Sequence, residues 1–128
     1  MERIQRGDTV EVIAGRDAAE SRRAGKPLRG TVHRVVRAYE TDRTHRKVGR
    51  DPDRDRVVVQ GVNLIIKHQR RTGDVRTQFG RIEMEAPMHI SNVMLVCPSC
   101  KETTRVGFRT SVDGVKTRYC KRCDEAID

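Results

Sequence analysis

The chain has 128 residues, with 27 lysines and arginines against 18 aspartates and glutamates, a formal net charge of +9 and 3% aromatic residues. Charged residues make up 35% of it, against about 25% in an ordinary globular domain, so we expect one domain with a small core and a small appendage. No apolar run approaches the ~20 residues of a membrane-spanning helix, and the first residues lack the apolar segment of a signal peptide. These features indicate a cytoplasmic protein with a polyanionic partner.

Short β-strands alternate with turn residues along the first three quarters of the chain. We predict strands at residues 9–13, 28–39, 56–60, 62–68, 79–85 and 90–96, where valine and isoleucine dominate between glycines and polar turns. Residues 18–24 allow one helical turn inside a loop, ended by Gly25 and Pro27, and the hydrophilic residues 41–55 form an extended hairpin tip or a loop. We expect the core to contain Val10, Val12, Val32, Val35, Val58, Ile65 and Met94.

The number and length of these strands suit a small closed barrel, because they are too few and too short for a sandwich. We therefore predict an all-β fold, with a barrel at residues 1–96 and an extension at residues 97–128.

All four cysteines lie in that extension, as Cys97-Pro98-Ser99-Cys100 and Cys120-Lys121-Arg122-Cys123. Two C-x2-C pairs at this spacing are typical of a zinc ribbon, and Asp113-Gly114 between them is a hairpin turn that returns the second pair to the first. A disulfide is disfavoured in a reducing compartment, and a redox-active pair normally sits in a strand–helix unit, which this chain lacks. We predict one structural Zn²⁺ bound by Cys97, Cys100, Cys120 and Cys123, because four thiolates leave no open position for catalysis.

The glycines of the first two strands carry a second pattern. Residues 6–15 and 29–35, with Gly15 and Gly30, resemble a KOW motif, in which two strands of an SH3-like barrel flank a loop and glycine allows the backbone to approach RNA. KOW barrels also occur in transcription elongation and translation factors, so the motif alone does not choose between these classes.

The rest of the chain narrows the choice. The sequences GVN at 61–63, KHQ at 67–69, EAPMHISNVML at 85–95 and TRVGF at 104–108 resemble, in order and spacing, the bacterial large-ribosomal-subunit proteins numbered twenty-four. The resemblance implies an rRNA-binding protein that joins the large subunit early, helps to nucleate its folding, and lies beside the exit of the nascent-peptide tunnel, which residues 69–80 would approach. Some members have the cysteine pairs and others lack them. The loops at 16–29 and 40–56 are longer than is usual in the family.

The predicted RNA-binding residues fall into four groups. One group flanks the KOW glycines, one lies in the long loop at 16–29, and one lies at the end of the strand at 62–68. The last belongs to the blocks GVN at 61–63 and SNVML at 91–95, of which SNVML is the most specific part of the resemblance. The residues are Arg3, Arg6, Gly15, Arg16, Gly30 and Arg34; Arg22, Arg23, Lys26 and Arg29; Lys67, His68, Arg70 and Arg71; and Asn63, Ser91 and Asn92.

Competing interpretations of these residues remain open. The basic runs also suit a solvated loop, and Ser91 and Asn92 also suit the capping of a bend. With so few aromatic residues, we expect recognition to depend on phosphates and RNA shape rather than on bases.

These patterns predict a monomeric structural protein of the large ribosomal subunit, with rRNA and neighbouring ribosomal proteins as partners and with no membrane, small-molecule substrate or enzymatic activity. The alternative is a KOW-type transcription factor that binds RNA polymerase and RNA. A zinc-dependent nucleic-acid enzyme is disfavoured, because no carboxylates are paired as an acid and a base.

Overall fold

The computed structural model describes residues 2–70 and 80–127. Its strands are β1 (Thr9–Val12), β2 (Arg29–Val36), β3 (Tyr39–Thr41), β4 (Lys47–Arg50), β5 (Arg56–Val59), β6 (Leu64–Gln69), β7 (Gly80–Glu85), β8 (Met88–His89), β9 (Val93–Val96), β10 (Thr103–Thr104), β11 (Val106–Thr110) and β12 (Lys116–Cys120). One α-helix, α1, spans Arg16–Ala24, and short 3-10 turns span Pro52–Arg54 and Ile90–Asn92.

Six strands form one antiparallel sheet in the order β10-β9-β1-β2-β5-β8. The chain passes directly from β8, at one edge, through the turn Ile90–Asn92 into β9 near the other edge, so the sheet curls around its own interior. That interior is filled by branched aliphatic side chains, which pack well on a pleated surface. Val10, Val32, Val57, Val59 and Val62 are each 1% exposed or less. The predicted all-β, SH3-like barrel is confirmed.

Most of the predicted core is correct, but Ile65 is not part of it. Val10, Val12, Val32 and Val58 are buried, and Val35 and Met94 are half-buried. Ile65 is 43% exposed, because β6 pairs with β7 alone in a two-stranded ribbon outside the barrel sheet. A ribbon of two strands has no second layer to cover either face, so its apolar run remains at the surface.

The segment predicted as a loop with one helical turn contains the nine-residue helix α1. The prediction of its end is correct: Gly25 adopts the left-handed conformation (φ 71°) and its N–H donates to the Arg22 carbonyl. The full length of the helix is hard to predict because Ala18 is its one buried residue, which leaves almost no apolar periodicity to detect.

The hydrophilic segment at 41–55 is the predicted hairpin. Strands β3 and β4 pair, and the Asp42 carboxylate organises their turn by accepting from the N–H groups of Thr44 (2.8 Å) and Arg46 (2.9 Å). The Thr44 hydroxyl also donates to it, and these bonds together lower the pKa of Asp42 below its usual value. The hairpin therefore has local order although its one aliphatic side chain, Val48, is exposed.

Candidate metal centre and nucleic-acid interface

The four cysteine sulfurs converge on one point. The hairpin β11–β12 turns at Gly114 (φ 80°), as Asp113-Gly114 predicts, and brings the second C-x2-C pair against the first. The Sγ atoms of Cys97 and Cys123 lie 3.6 Å apart, those of Cys100 and Cys120 lie 3.9 Å apart, and all four lie within 4.8 Å of one another. No disulfide links them.

This spacing fits a tetrahedral zinc site. Four sulfurs at about 2.3 Å from a zinc ion stand about 3.8 Å from each other along every edge. The two measured pairs fall on either side of that value. An all-thiolate tetrahedron has no position for water, so the site is suited to a structural ion.

The backbone around the cysteines favours the ionised form of some sulfurs. Burial opposes ionisation of Cys120, but hydrogen bonds from the Thr104 side chain and from the N–H groups of Cys123 and Arg122 outweigh it and lower its pKa to about 6. Burial likewise opposes ionisation of Cys97, yet the N–H groups of Cys100 and Ser99 lower its pKa. A bond from the Glu125 N–H lowers the pKa of Cys123, but burial and the adjacent sulfurs prevail and raise it to about 12. Four neighbouring thiolates therefore need a cation between them.

The ribbon is tied to the barrel by a buried ion pair that sequence reasoning missed. The Arg118 guanidinium, 3% exposed, donates to both carboxylate oxygens of Asp8 (2.5 and 3.1 Å) and to the Arg3 carbonyl (3.0 Å). The one available signal is that Arg118 alternates with Cys120 along β12 and so shares its inward face. Strand β10 also pairs with β9 of the barrel sheet. The division at residue 96 stays a prediction.

Gly15 and Gly30 occupy different environments. Gly15 has φ 98°, precedes α1 and has open space where a side chain would stand. Gly30 lies against β5, where an added Cβ would stand 2.7 Å from Cγ1 of Val59 and 2.8 Å from the Gln60 carbonyl oxygen. Packing alone thus requires glycine at position 30.

Some of the basic residues in the long segment at 16–29 form hydrogen bonds or ion pairs within the protein. The Arg22 guanidinium donates to the Ile13 carbonyl (2.7 Å), and Arg29 pairs with Glu11 (3.1 Å) and donates to the Lys101 carbonyl (3.0 Å). The side chains of Arg23 and Lys26 are exposed. These two are the better candidates of this group for an external anion.

Asn63, Ser91 and Asn92, which belong to the blocks GVN and SNVML of the resemblance, form hydrogen bonds within the protein. Asn63 has φ 56°, and its Nδ2 donates to the carbonyls of Ala86 (3.1 Å) and Pro87 (3.4 Å). Ser91 donates its N–H to Nδ1 of His89 (3.2 Å) and places its hydroxyl 2.7 Å from the same nitrogen. The Asn92 carbonyl accepts from the Ile13 N–H (2.9 Å). His89 is therefore the residue that caps this turn, and the choice between RNA contact and capping for Ser91 and Asn92 stays a prediction.

A small concavity of about 350 Å³ gathers several predicted residues around Gly15. Arg16, Asn63 and Asn92 line it, together with Arg56 and His89, which are not among the predicted RNA-binding residues. Arg16 also lies 3.7 Å from the carboxylate of Asp17, the next residue.

The remaining predicted residues lie on or next to the β6–β7 ribbon and along a second, larger groove. Lys67 and His68 are exposed within β6, and Arg70 follows it; Arg71 lies outside the described residues. Arg3, Arg6 and Arg34 line a groove of about 1410 Å³. The same groove is lined by Arg37, Tyr39, Lys47 and Arg50, which sequence reasoning missed because their hairpin carries no motif.

Comparisons with known proteins agree with the resemblance. The family model described as "Large ribosomal subunit protein uL24, C-terminal domain" matches residues 62–127. The uL24 protein of Fervidobacterium nodosum is 46% identical over 127 residues, 99% of this chain and 96% of that protein. The uL24 proteins of Halothermothrix orenii and Thermomicrobium roseum are each 44% identical and cover 98% and 99% of this chain, which in turn spans 98% and 90% of their lengths.

Within the described residues, no helix has the length and apolar character needed to cross a membrane. The barrel, the cysteine ribbon and the relatives matched along nearly the whole chain lead to one conclusion: this chain belongs to the uL24 family of large ribosomal subunit proteins.

Proposed function

We propose that the chain is a structural, non-catalytic component of the large ribosomal subunit in the cytoplasm, where it binds rRNA and contacts neighbouring ribosomal proteins. The observation that carries this proposal is the match, over 98–99% of the chain, to proteins named as large ribosomal subunit proteins. The net charge of +9 supports a polyanionic partner.

The rRNA contacts are proposed at the basic side chains that stay free of internal partners. Arg3, Arg6, Arg34, Lys67 and Arg70 have no ion pair or side-chain hydrogen bond with any described residue. Guanidinium groups suit phosphate oxygens because their N–H donors form a planar fork. Arg22 and Arg29 instead brace α1 and β2, so their contribution to binding is indirect.

Early assembly and a position beside the tunnel exit are the finer parts of the proposal. They are supported by the resemblance of residues 85–95 and by the ribbon β6–β7, which lies outside the barrel sheet.

The cysteine cluster is proposed to hold one Zn²⁺ with a structural role. A tail of about thirty residues cannot build a core of its own, and zinc binding supplies on the order of 10 kcal/mol to the folding of such modules. Cys97, Cys100, Cys120 and Cys123 would be its ligands, supported by the sulfur spacing described above.

Sedimentation tests the cellular assignment. Affinity-tagged protein expressed in its own cell type should co-sediment with large subunits in a sucrose gradient. The alternative, a KOW-type transcription factor, predicts co-sedimentation with RNA polymerase and absence from large subunits, and that result would overturn the proposal. The names of the relatives favour the ribosome over the polymerase.

Binding to a large-subunit rRNA fragment tests the phosphate contacts. Replacing Lys67, Arg70 and Arg71 with alanine should flatten the slope of log K against log salt by about 0.7–0.9 for each phosphate that is no longer neutralised. The control is the replacement of Arg105, Lys121 and Arg122 with alanine, which removes the same charge from the cysteine-containing extension at residues 97–128. Equal slopes for the two triple variants would remove the β6 cluster from the interface.

A further inference from the structure

The groove of about 1410 Å³ lies between the N-terminal segment, strand β2, the β3–β4 hairpin and the zinc ribbon. Arg3 and Arg6 contribute one wall, Arg34 the floor on β2, Tyr39 the hairpin wall and Phe108 the ribbon wall. Four separate parts of the chain thus meet around one open space.

The hairpin wall is held in place by a buried carboxylate. Asp55, 2% exposed, accepts from the Ala38 N–H (2.9 Å) and from both terminal nitrogens of Arg50. Glu2 accepts from Arg37 (2.7 Å) and Arg50 (3.3 Å) and so links the N-terminal segment to the hairpin. These ion pairs neutralise Arg37 and Arg50, which makes them structural members of the wall.

Four other cations in the groove are uncompensated by any described carboxylate: Lys47, which lies over the Tyr39 ring, and three arginines. The side chains of Arg3, Arg6 and Arg34 are exposed and have no acidic partner among residues 2–70 and 80–127. Three free guanidinium groups along one groove create a site for a ligand with several negative charges in a row.

Two of the four aromatic residues of the chain lie at this groove. The buried core cluster contains no aromatic residue, whereas Tyr39 and Phe108 both line the groove. Tyr39 is 37% exposed, and two cations lie over its ring, with the Lys47 ammonium 4.4 Å and Cζ of Arg50 5.6 Å from the ring centre, so a stacked base would take the place of the Lys47 ammonium. An exposed ring beside cations is the arrangement with which proteins hold an unpaired nucleic-acid base next to its phosphates.

We propose that this groove binds a single-stranded segment of RNA, with phosphates on Arg3, Arg6 and Arg34 and an unpaired base stacked on Tyr39. The inference rests on the proposed function and names the kind of RNA that one face of the protein takes. In a duplex the base faces are already stacked, so only an unpaired strand can use the ring and the cations together. The groove therefore qualifies the expectation that recognition depends on phosphates and shape alone.

A binding experiment with the full-length, zinc-loaded chain tests the proposal. The probe is an oligoadenylate octanucleotide carrying one 2-aminopurine, whose fluorescence falls when it stacks on an aromatic ring; the comparison probe is the same strand annealed to its complement. We expect the single strand to bind more tightly than the duplex and its fluorescence to be quenched on binding.

Two variants separate the parts of the site. Tyr39→Leu keeps an apolar side chain and should weaken single-strand binding about 5- to 150-fold and abolish the quenching, because stacking contributes about 1–3 kcal/mol per base. The double variant Arg6→Gln/Arg34→Gln should lower the salt slope by about 1.4, or about 0.7 for each phosphate that no longer meets an arginine. Arg105→Gln/Lys121→Gln removes two charges outside the groove and should leave quenching unchanged.

Three results would overturn the inference. They are equal affinity for single strand and duplex, quenching that survives Tyr39→Leu, and competition by a polyglutamate peptide as effective as competition by the unlabelled octanucleotide, which would indicate an acidic protein partner. Each can occur while the chain still sediments with large subunits, so failure of this inference is distinct from failure of the proposed function.

Discussion

The buried pair Arg118–Asp8 gives the sharpest test of how the ribbon is attached to the barrel. Replacing Asp8 with alanine removes the carboxylate that accepts from both Nη atoms of Arg118, at a place where that side chain is 3% exposed. The Arg118 guanidinium keeps its charge, because arginine does not deprotonate in proteins. It cannot reach water unless the hairpin β11–β12 moves away from the barrel.

The expected cost follows from this asymmetry. Removing the acidic partner of a buried charge costs about 3–5 kcal/mol, and that is our estimate for Asp8→Ala. Arg118→Met should cost about 1–3 kcal/mol, because Asp8 is 13% exposed and still accepts from the Gln5 N–H (2.8 Å). The double variant Asp8→Ala/Arg118→Met removes both members of the pair, so it should be more stable than Asp8→Ala alone.

Urea unfolding of the zinc-loaded chain, followed by circular dichroism, measures all three variants against the parent. Arg54→Met, which removes a surface pair with Asp51, is the control and should cost less than about 1 kcal/mol. If the double variant is as unstable as the sum of the single variants, the two side chains are not coupled and the assignment of the pair as the attachment point is wrong.

Three further outcomes are expected. Gly30→Ala should lower the free energy of unfolding in urea by about 1–3 kcal/mol, because the added Cβ would stand 2.7 Å from Val59. Gly49→Ala is the control and should cost little, because its Cβ would meet nothing nearer than 3.8 Å. Equal losses for the two variants would contradict the packing argument. The hydrogen bond from Arg50 lowers the pKa of Asp55 despite the burial of the carboxylate, so the stability that this pair provides is complete at neutral pH and is lost as the pH falls below about 4. Asp55→Asn should therefore reduce the loss of unfolding free energy between neutral and acidic pH. An unchanged pH dependence would refute this assignment. Titration of the cysteine thiols of the purified protein should release one zinc ion per chain. Cys120→Ser should abolish this release, whereas the control Ser99→Ala should preserve it. Zinc retained by Cys120→Ser would exclude the four-cysteine site.

The parts of the fold that sequence predicts well are those governed by local rules. Alternation of valine places Val10 and Val12 on the buried face of β1, and the C-x2-C spacing with Asp113-Gly114 identifies the ribbon and its turn. In each case the pattern is set by strand periodicity or ligand geometry within a few residues, so distant contacts are not needed to recognise it.

The parts that sequence does not predict depend on what lies across from a residue. Ile65 carries the same local pattern as the buried valines, and it is exposed because β6 lacks a second layer. Arg118 carries no local signal that separates it from the exposed Arg109 of the paired strand β11, since its partner lies 110 positions away. The groove combines residues 3 to 108, none of which forms a local motif with the others.

The metal centre and the groove share one hairpin, and this determines what the metal would do for RNA binding. Arg118 of β12 holds the Arg3 carbonyl at 3.0 Å and the Asp8 carboxylate, which itself fixes the Gln5 N–H. Phe108 on the paired strand β11 forms the ribbon wall of the same groove. Zinc binding by the cysteines would therefore order the N-terminal wall and the ribbon wall together, although no cysteine lines the groove. A structural ion in this position would order the groove before RNA binds. The arginines would then lose less conformational entropy when they bind phosphate, which would favour binding.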